Sequence, residues 1–144
     1  MFSFRKKRLL DNTFNINCKN IISFHPENIF YLTGFWGEGV VLLNHDTTKL
    51  FTPKLEYFRA LEDSKECEII KTERGNDALI SIISALDNND YYCTDNTDYN
   101  IISQLKEKVG HNKIIVNEDP FFQTRSIKDE SEIKNIKKAA NIID

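Results

Sequence analysis

Cysteine is scarce in this chain, as are the residues that most often punctuate a fold. Its 144 residues include three cysteines, three prolines, five glycines and one tryptophan. Cys18, Cys67 and Cys93 are odd in number and far apart, and no C-x-x-C pair occurs. That pattern suggests neither a zinc knuckle nor a disulfide framework. All three stand in apolar or strand-like contexts, where a thiol serves as a small core residue. A reducing, cytoplasmic compartment is therefore expected. No apolar run is long enough to span a bilayer. The N-terminus has basic residues but no apolar signal core and no small-residue cleavage site. Excess positive charge is missing too. The formal net charge is -3, which argues against a general nucleic-acid binder, because phosphate contacts need a basic surface. The one dense basic run, Arg5-Lys6-Lys7-Arg8, reads as the solvated face of a short first helix or as a frayed end.

Signatures of metal binding and nucleophilic catalysis are equally scarce. His25, His45 and His111 each lie in a turn, and none has a second histidine or an H-E-x-x-H partner at ligand spacing. No G-x-S-x-G elbow occurs, and no Cys/His pair is positioned by sequence. The chain is expected to hold no catalytic residue, no metal ligands and no cofactor of its own.

What remains has the makeup of one ordinary domain. Hydrophobic residues are 40% and charged residues 28% of the chain, which suits a soluble fold. A chain of this length buries about 70% of its unfolded surface. Residues 20–24 read as a strand stopped by His25-Pro26, and the alternation over 28–33 reads as a second. Gly39–Leu43 and Lys49–Thr52 form a hairpin through Asn44-His45-Asp46. Pro53 opens a helix through Leu55, Phe58 and Leu61.

Strands and helices then alternate. Cys67–Ile70, Tyr91–Thr94 and Lys113–Val116 are strands. Ala78–Leu86 is a helix with Leu79, Ile82, Ile83 and Leu86 on one face, and Asp98–Val109 is another, ended by Gly110. Residues 117–126 read as loop. Asp129 and Glu132 then form a capping box before a helix whose apolar stripe is Ile133, Ile136, Ala140 and Ile143. That stripe is still running at Asp144, so further sequence is expected beyond it. The predicted architecture is α/β, a mixed sheet of about six strands flanked by helices.

The cluster Gly34-Phe35-Trp36-Gly37-Glu38-Gly39 holds three of the five glycines. Its spacing, G-x-x-G-x-G, is not the dinucleotide fingerprint, and a strand follows it rather than a helix, so no helix N-terminus waits for a phosphate. Two readings stay open for its aromatics. They fold back on the core, or they project as rigid contact surface for a ligand or partner.

Three segments in order carry a family resemblance. Asn28-Ile29-Phe30-Tyr31-Leu32-Thr33-Gly34-Phe35 is similar to N-x-x-Y-L-T-G-F. Pro53 to Ala60 resembles P-x-L-E-Y-x-R-A. Arg125 to Ile133 resembles the connector R-x-x-K-[DS]-x-x-E-[IL]. Together they resemble the N-terminal domain of the creatinase/prolidase family of Xaa-Pro metallopeptidases. The resemblance implies a ribonuclease-H-like creatinase N-domain over residues 1–122. Residues 123–144 would be a connector and the start of a catalytic domain's first helix.

It further implies an accessory role, shaping the substrate pocket and supporting a homodimer, without catalysis by this chain alone. Two divalent metal ions (Mn, Co or Zn) would sit in a C-terminal catalytic domain acting on proline-containing peptides. Phe35 and Trp36 become candidate pocket walls, and Glu38 a candidate contact for a substrate amine. Glu56 and Arg59, three apart on a helix, receive no chemistry. The alternative is a non-catalytic protein-binding module or a creatinase-like member of the same family.

Overall fold

The computed structural model describes residues 1–13, 18–72, 77–126 and 130–143. Strands β1 (Asn20–Ser23), β2 (Val40–Leu43), β3 (Thr48–Pro53), β4 (Glu68–Thr72), β5 (Tyr92–Thr94) and β6 (Ile114–Val116) build one sheet in the order β4-β3-β2-β1-β5-β6. Among the described residues the helices are α1 (Phe2–Thr13), α2 (Pro26–Thr33), α3 (Tyr57–Asp63), α4 (Asp77–Ala85), α5 (Tyr99–Val109), α6 (Asp119–Ser126) and α7 (Glu130–Ile143). None is long and apolar enough to cross a membrane. This is the mixed α/β sheet expected from the sequence.

The sheet separates two apolar layers. Leu9 and Leu10 of α1, Ile29 and Leu32 of α2, Ala60 of α3 and Phe121 of α6 pack on one face around Ile21, Val41 and Leu50. Ile82 and Leu86, with Ile102, Leu105 and Val109 of α5, cover the other around Ile22, Leu42 and Tyr92. β1 and β2 are buried at every position, which is why Val40 to Leu43 is continuously apolar rather than alternating. The β2–β3 hairpin closes on Asn44, whose Oδ1 accepts from the amides of Asp46 and Thr47 at 2.8 Å each. Asp98 caps α5 by accepting from the amides of Asn100 and Ile101.

Five expectations need correction. Residues 28–33 are not a strand, because the chain is helical over Pro26–Thr33. Pro26 stands in the first turn, where its missing N–H costs nothing. Gly34 ends the helix at φ 81, donating to the Phe30 carbonyl. Buried Ile29, Leu32 and Thr33 share one face while Phe30 points outward. Over six residues an alternating pattern mimics that helical face.

Residues 117–126 likewise contain a helix, Asp119–Ser126. Glu118 O accepts from the amides of Phe121 and Phe122 at 3.1 Å, and Phe121 is 2% exposed.

The basic run is neither frayed nor fully solvated. Arg5 and Lys6 are buried, their apolar stems packed while their heads find partners. The Arg5 guanidinium lies between the rings of Phe2 and Tyr31 and donates to Tyr31 O at 3.0 Å. Its Nη2 also lies 3.7 Å from Glu132 Oε1 on α7. Lys6 Nζ donates to Glu66 O, and burial lowers the Lys6 pKa.

Cys18 and Cys93 form a disulfide, Cα atoms 5.8 Å apart. They lie 75 residues apart in sequence and meet because β1 pairs in parallel with β5. Cys67 remains a thiol, its pKa raised by burial. The pairing removes cysteine usage as a reason to expect a reducing compartment.

Leu55, Phe58 and Leu61 do not face the core, being 98%, 79% and 49% exposed. The 3-10 turn Lys54–Glu56 breaks the helical spacing between Leu55 and Phe58, and Ala60 is the residue of α3 that meets the sheet.

On α7, Ile133 and Ile136 are exposed. The capping-box residue Asp129 lies outside the described residues. Deleting residues 130–144 is expected to lower stability by no more than about 1 kcal/mol in chemical denaturation. A loss several times larger would place the helix in the domain's own core.

Candidate functional site

Every strand except β2 points the same way. The carboxyl ends of β1, β3, β4, β5 and β6 therefore gather at one end of the sheet. The Gly34–Gly39 loop enters β2 at that end. Ligands of open α/β sheets bind outside the carboxyl ends of strands, so the loop stands where a site is expected.

The loop is built from α2 outward. Gly34 adopts φ 81, and its amide bonds Phe30 O at 2.8 Å. Phe35 then turns back into the core and is fully buried, its amide bonded to Thr33 Oγ1 at 3.2 Å. A Cβ at Gly37 would stand 2.5 Å from Phe35 Cζ and from Arg59 Nη2, and one at Gly39 would stand 2.9 Å from Phe51 O. Glycine at these two positions lets the backbone lie against the ring and the neighbouring strand. Trp36 is left outside, 54% exposed, edge-on to Phe30 with ring centres 6.0 Å apart.

The three residues singled out from sequence are not brought to one pocket. Phe35 is a core residue, fully buried, with the Arg59 guanidinium over its ring. Its role as a pocket wall does not fit its burial. Glu38 is exposed and lines a groove of about 740 Å³ with Phe24, Leu79, Asp98, Asn100 and Gln104. Trp36 packs instead on Phe30, which borders a cavity of about 610 Å³ lined also by Phe2, Arg5, Tyr31 and Phe122. The loop thus presents an aromatic surface through Trp36 and a carboxylate through Glu38.

Behind the loop lies a polar knot that sequence reasoning passed over. Asp95, directly after β5, is fully buried. Its carboxylate accepts from Ser23 Oγ at 2.6 Å, the Phe24 amide at 2.7 Å, the His25 amide at 3.3 Å and Asn28 Nδ2 at 2.8 Å. It ties the end of β1 to the start of α2. His25 Nε2 sits 3.1 Å from Glu118 Oε1 beside it. A buried carboxylate needs such donors to offset its lost hydration. The sequence signal was slight: an aspartate directly after a short apolar strand.

Arg59, given no chemistry from the sequence, holds the loop. It donates to Trp36 O at 2.7 Å and pairs with Glu56. Among the described residues, no group of three or more His, Cys, Asp or Glu side chains is placed to hold a metal ion.

Similarity to known proteins runs along nearly the whole chain. The Creatinase/Prolidase N-terminal domain family matches residues 5–127. The Xaa-Pro dipeptidase of Pyrococcus furiosus is 30% identical over 122 residues, which is 83% of this chain and 34% of that protein. The prolidase of Pyrococcus horikoshii OT3 shares the fold at TM-score 0.79 and 24% identity, over 97% of this chain and 40% of that one. The aminopeptidase P of Streptococcus thermophilus does so at TM-score 0.72 and 16% identity, over 86% of this chain and 98% of that one. The chain spans about a third of the length of the curated relatives it matches. With its six-stranded sheet and the residues matched, this chain belongs to the creatinase/prolidase N-terminal domain family.

Proposed function

We propose that this chain is the accessory N-terminal domain of a Xaa-Pro peptidase, with residues 1–122 as the domain and 123–144 as the connector to a catalytic domain. Its Gly34–Gly39 loop shapes the substrate side of the pocket, Trp36 supplying rigid apolar area and Glu38 a carboxylate for a substrate amine. The whole protein would be a homodimer whose catalytic domain binds two divalent metal ions, activates water and cleaves proline-containing peptides. The chain alone would hydrolyse nothing. The observation that carries this reading is the exposure of Trp36 on a loop held tightly at the carboxyl end of the sheet, where an aromatic ring offers large contact area at low entropy cost.

In the full-length protein, Trp36→Ala is expected to raise KM or change substrate selectivity several-fold, with little change in stability. A core tryptophan would instead cost roughly 3–5 kcal/mol on truncation. Unaltered kinetics across a panel of Xaa-Pro substrates would remove the loop from the pocket. For the isolated chain, peptide turnover above a buffer blank with added manganese or cobalt would refute the accessory role.

A further inference from the structure

We propose that Arg59 is the positioning residue of the Gly34–Gly39 loop, a clasp that fixes where Trp36 points. The clasp stands on geometry alone, while its consequence for substrates rests on the pocket reading above. One guanidinium makes three contacts. Nη1 donates to Trp36 O at 2.7 Å, Nη2 donates to the Glu56 carboxylate, and Cζ lies over the Phe35 ring, 4.9 Å from its centre. Gly37 is what permits this, since a Cβ there would come within 2.5 Å of both Nη2 and the Phe35 ring.

A second hold lies two residues on, where buried Thr52 donates from Oγ1 to Glu38 O at 2.8 Å. The carbonyls on either side of Gly37 are therefore both held by side chains from β3 and α3. Between those holds the backbone has little room to rotate, so the outward direction of Trp36 is set by the frame. Glu56 fixes the fork's orientation. Lysine at position 59 has a compact ammonium without a planar fork, so it cannot hold the carboxylate, the carbonyl and the ring face together.

An exposed ion pair contributes little to global stability, and Arg59 is exposed, its side chain retaining 47% of its accessibility. Loss of the clasp should therefore appear at Trp36 rather than in the melting temperature. Trp36 is the only tryptophan, so its emission reports this loop alone.

The test compares Arg59→Lys, Arg59→Ala and Glu56→Gln in this chain by acrylamide quenching and fluorescence anisotropy, with circular dichroism melts alongside. Because Trp36 is already 54% exposed, quenching has only a modest further range. Arg59→Lys and Arg59→Ala are expected to raise it within that range and to lower anisotropy, with Glu56→Gln intermediate. Lys113→Ala, which removes the lysine contact to Asn88 O at the opposite end of the sheet, is expected to change neither. Unchanged Trp36 signals in both Arg59 variants would overturn the proposal. So would a melting temperature lowered by more than about 5 °C in Arg59→Lys, the mark of a general stability residue.

In the full-length protein, Arg59→Lys should raise KM more than it lowers kcat, and adding it to Trp36→Ala should bring no further loss. A loop loosened by fluorescence but without kinetic consequence would sink the pocket reading and leave the clasp standing. A fluorescence-silent Arg59→Lys would sink the clasp whatever the kinetics.

Discussion

Reducing the Cys18–Cys93 disulfide is expected to lower the stability of the folded chain by about 4 kcal/mol. The bond closes a loop with a sequence separation of 75 residues. Restricting a denatured chain over that length removes conformational entropy worth roughly 4 kcal/mol at 25 °C in the chain-entropy treatment. Reduction leaves every side chain in place, so the loss is not confounded by a cavity, as a substitution would be.

The measurement is urea unfolding with and without a phosphine reductant, after full reduction in denaturant and refolding. The midpoint should fall while thiol titration rises from one group, Cys67, to three. Both bonded cysteines are buried, at 2% and 0% exposure. Reduction under native conditions should therefore be slow and follow the opening of the sheet. Coincident unfolding curves for the two forms would show that the bond contributes nothing.

Replacing Asp95 with alanine is the second large loss, about 4 kcal/mol. The carboxylate accepts hydrogen bonds from Ser23, Phe24, His25 and Asn28. Truncation leaves those donors without their acceptor, several of them in the interior, at a cost of about 1–3 kcal/mol for each buried donor left unsatisfied. Asp95→Asn keeps the shape but turns one acceptor atom into a donor facing other donors, so it should recover only part of the loss.

A double-mutant cycle with Ser23→Ala separates the network from the single bond. The two losses should be strongly non-additive, because Ser23 Oγ and Asp95 Oδ2 lie 2.6 Å apart. Hydrogen exchange should quicken at the start of α2 well before the β2–β3 hairpin. An Asp95→Ala variant within 1 kcal/mol of the parent would mean that water replaces the carboxylate and that the knot is not structural.

Much of the layout could be read from residue order. The β2–β3 hairpin, the apolar faces of α4 and α5 and the arrest at Gly110 follow from periodicity and turn chemistry over windows of ten or so residues. The two mistaken elements are short helices. α2 is eight residues with an alternating face, and α6 is eight residues with little apolar period. In such windows the start and stop signals decide, namely Pro26 with Gly34 for the first helix and Asn117 with Glu118 for the second.

At the candidate site, sequence located the loop and gave its lone tryptophan two open roles. It could not distinguish Phe35 from Trp36. The two rings are adjacent, and only the left-handed turn at Gly34 sends one inward and the other out.

Local interactions determine what a sequence by itself determines here: an α/β chain of about six strands, its family likeness through three ordered segments, and a glycine-rich loop ahead of β2. These depend on propensity, period and motif, each encoded within a few neighbouring residues. Only the tertiary structure decided the contacts between distant residues. Parallel pairing of β1 with β5 brings Cys18 to Cys93 and Ser23 to Asp95. Packing of α3 beside the loop brings Arg59 to Trp36, and the meeting of α1 with α2 buries Arg5 against Tyr31. A charge or a thiol carries no mark in sequence of the partner it will meet. Such partners are set by how strands order in the sheet, which is a property of the whole chain.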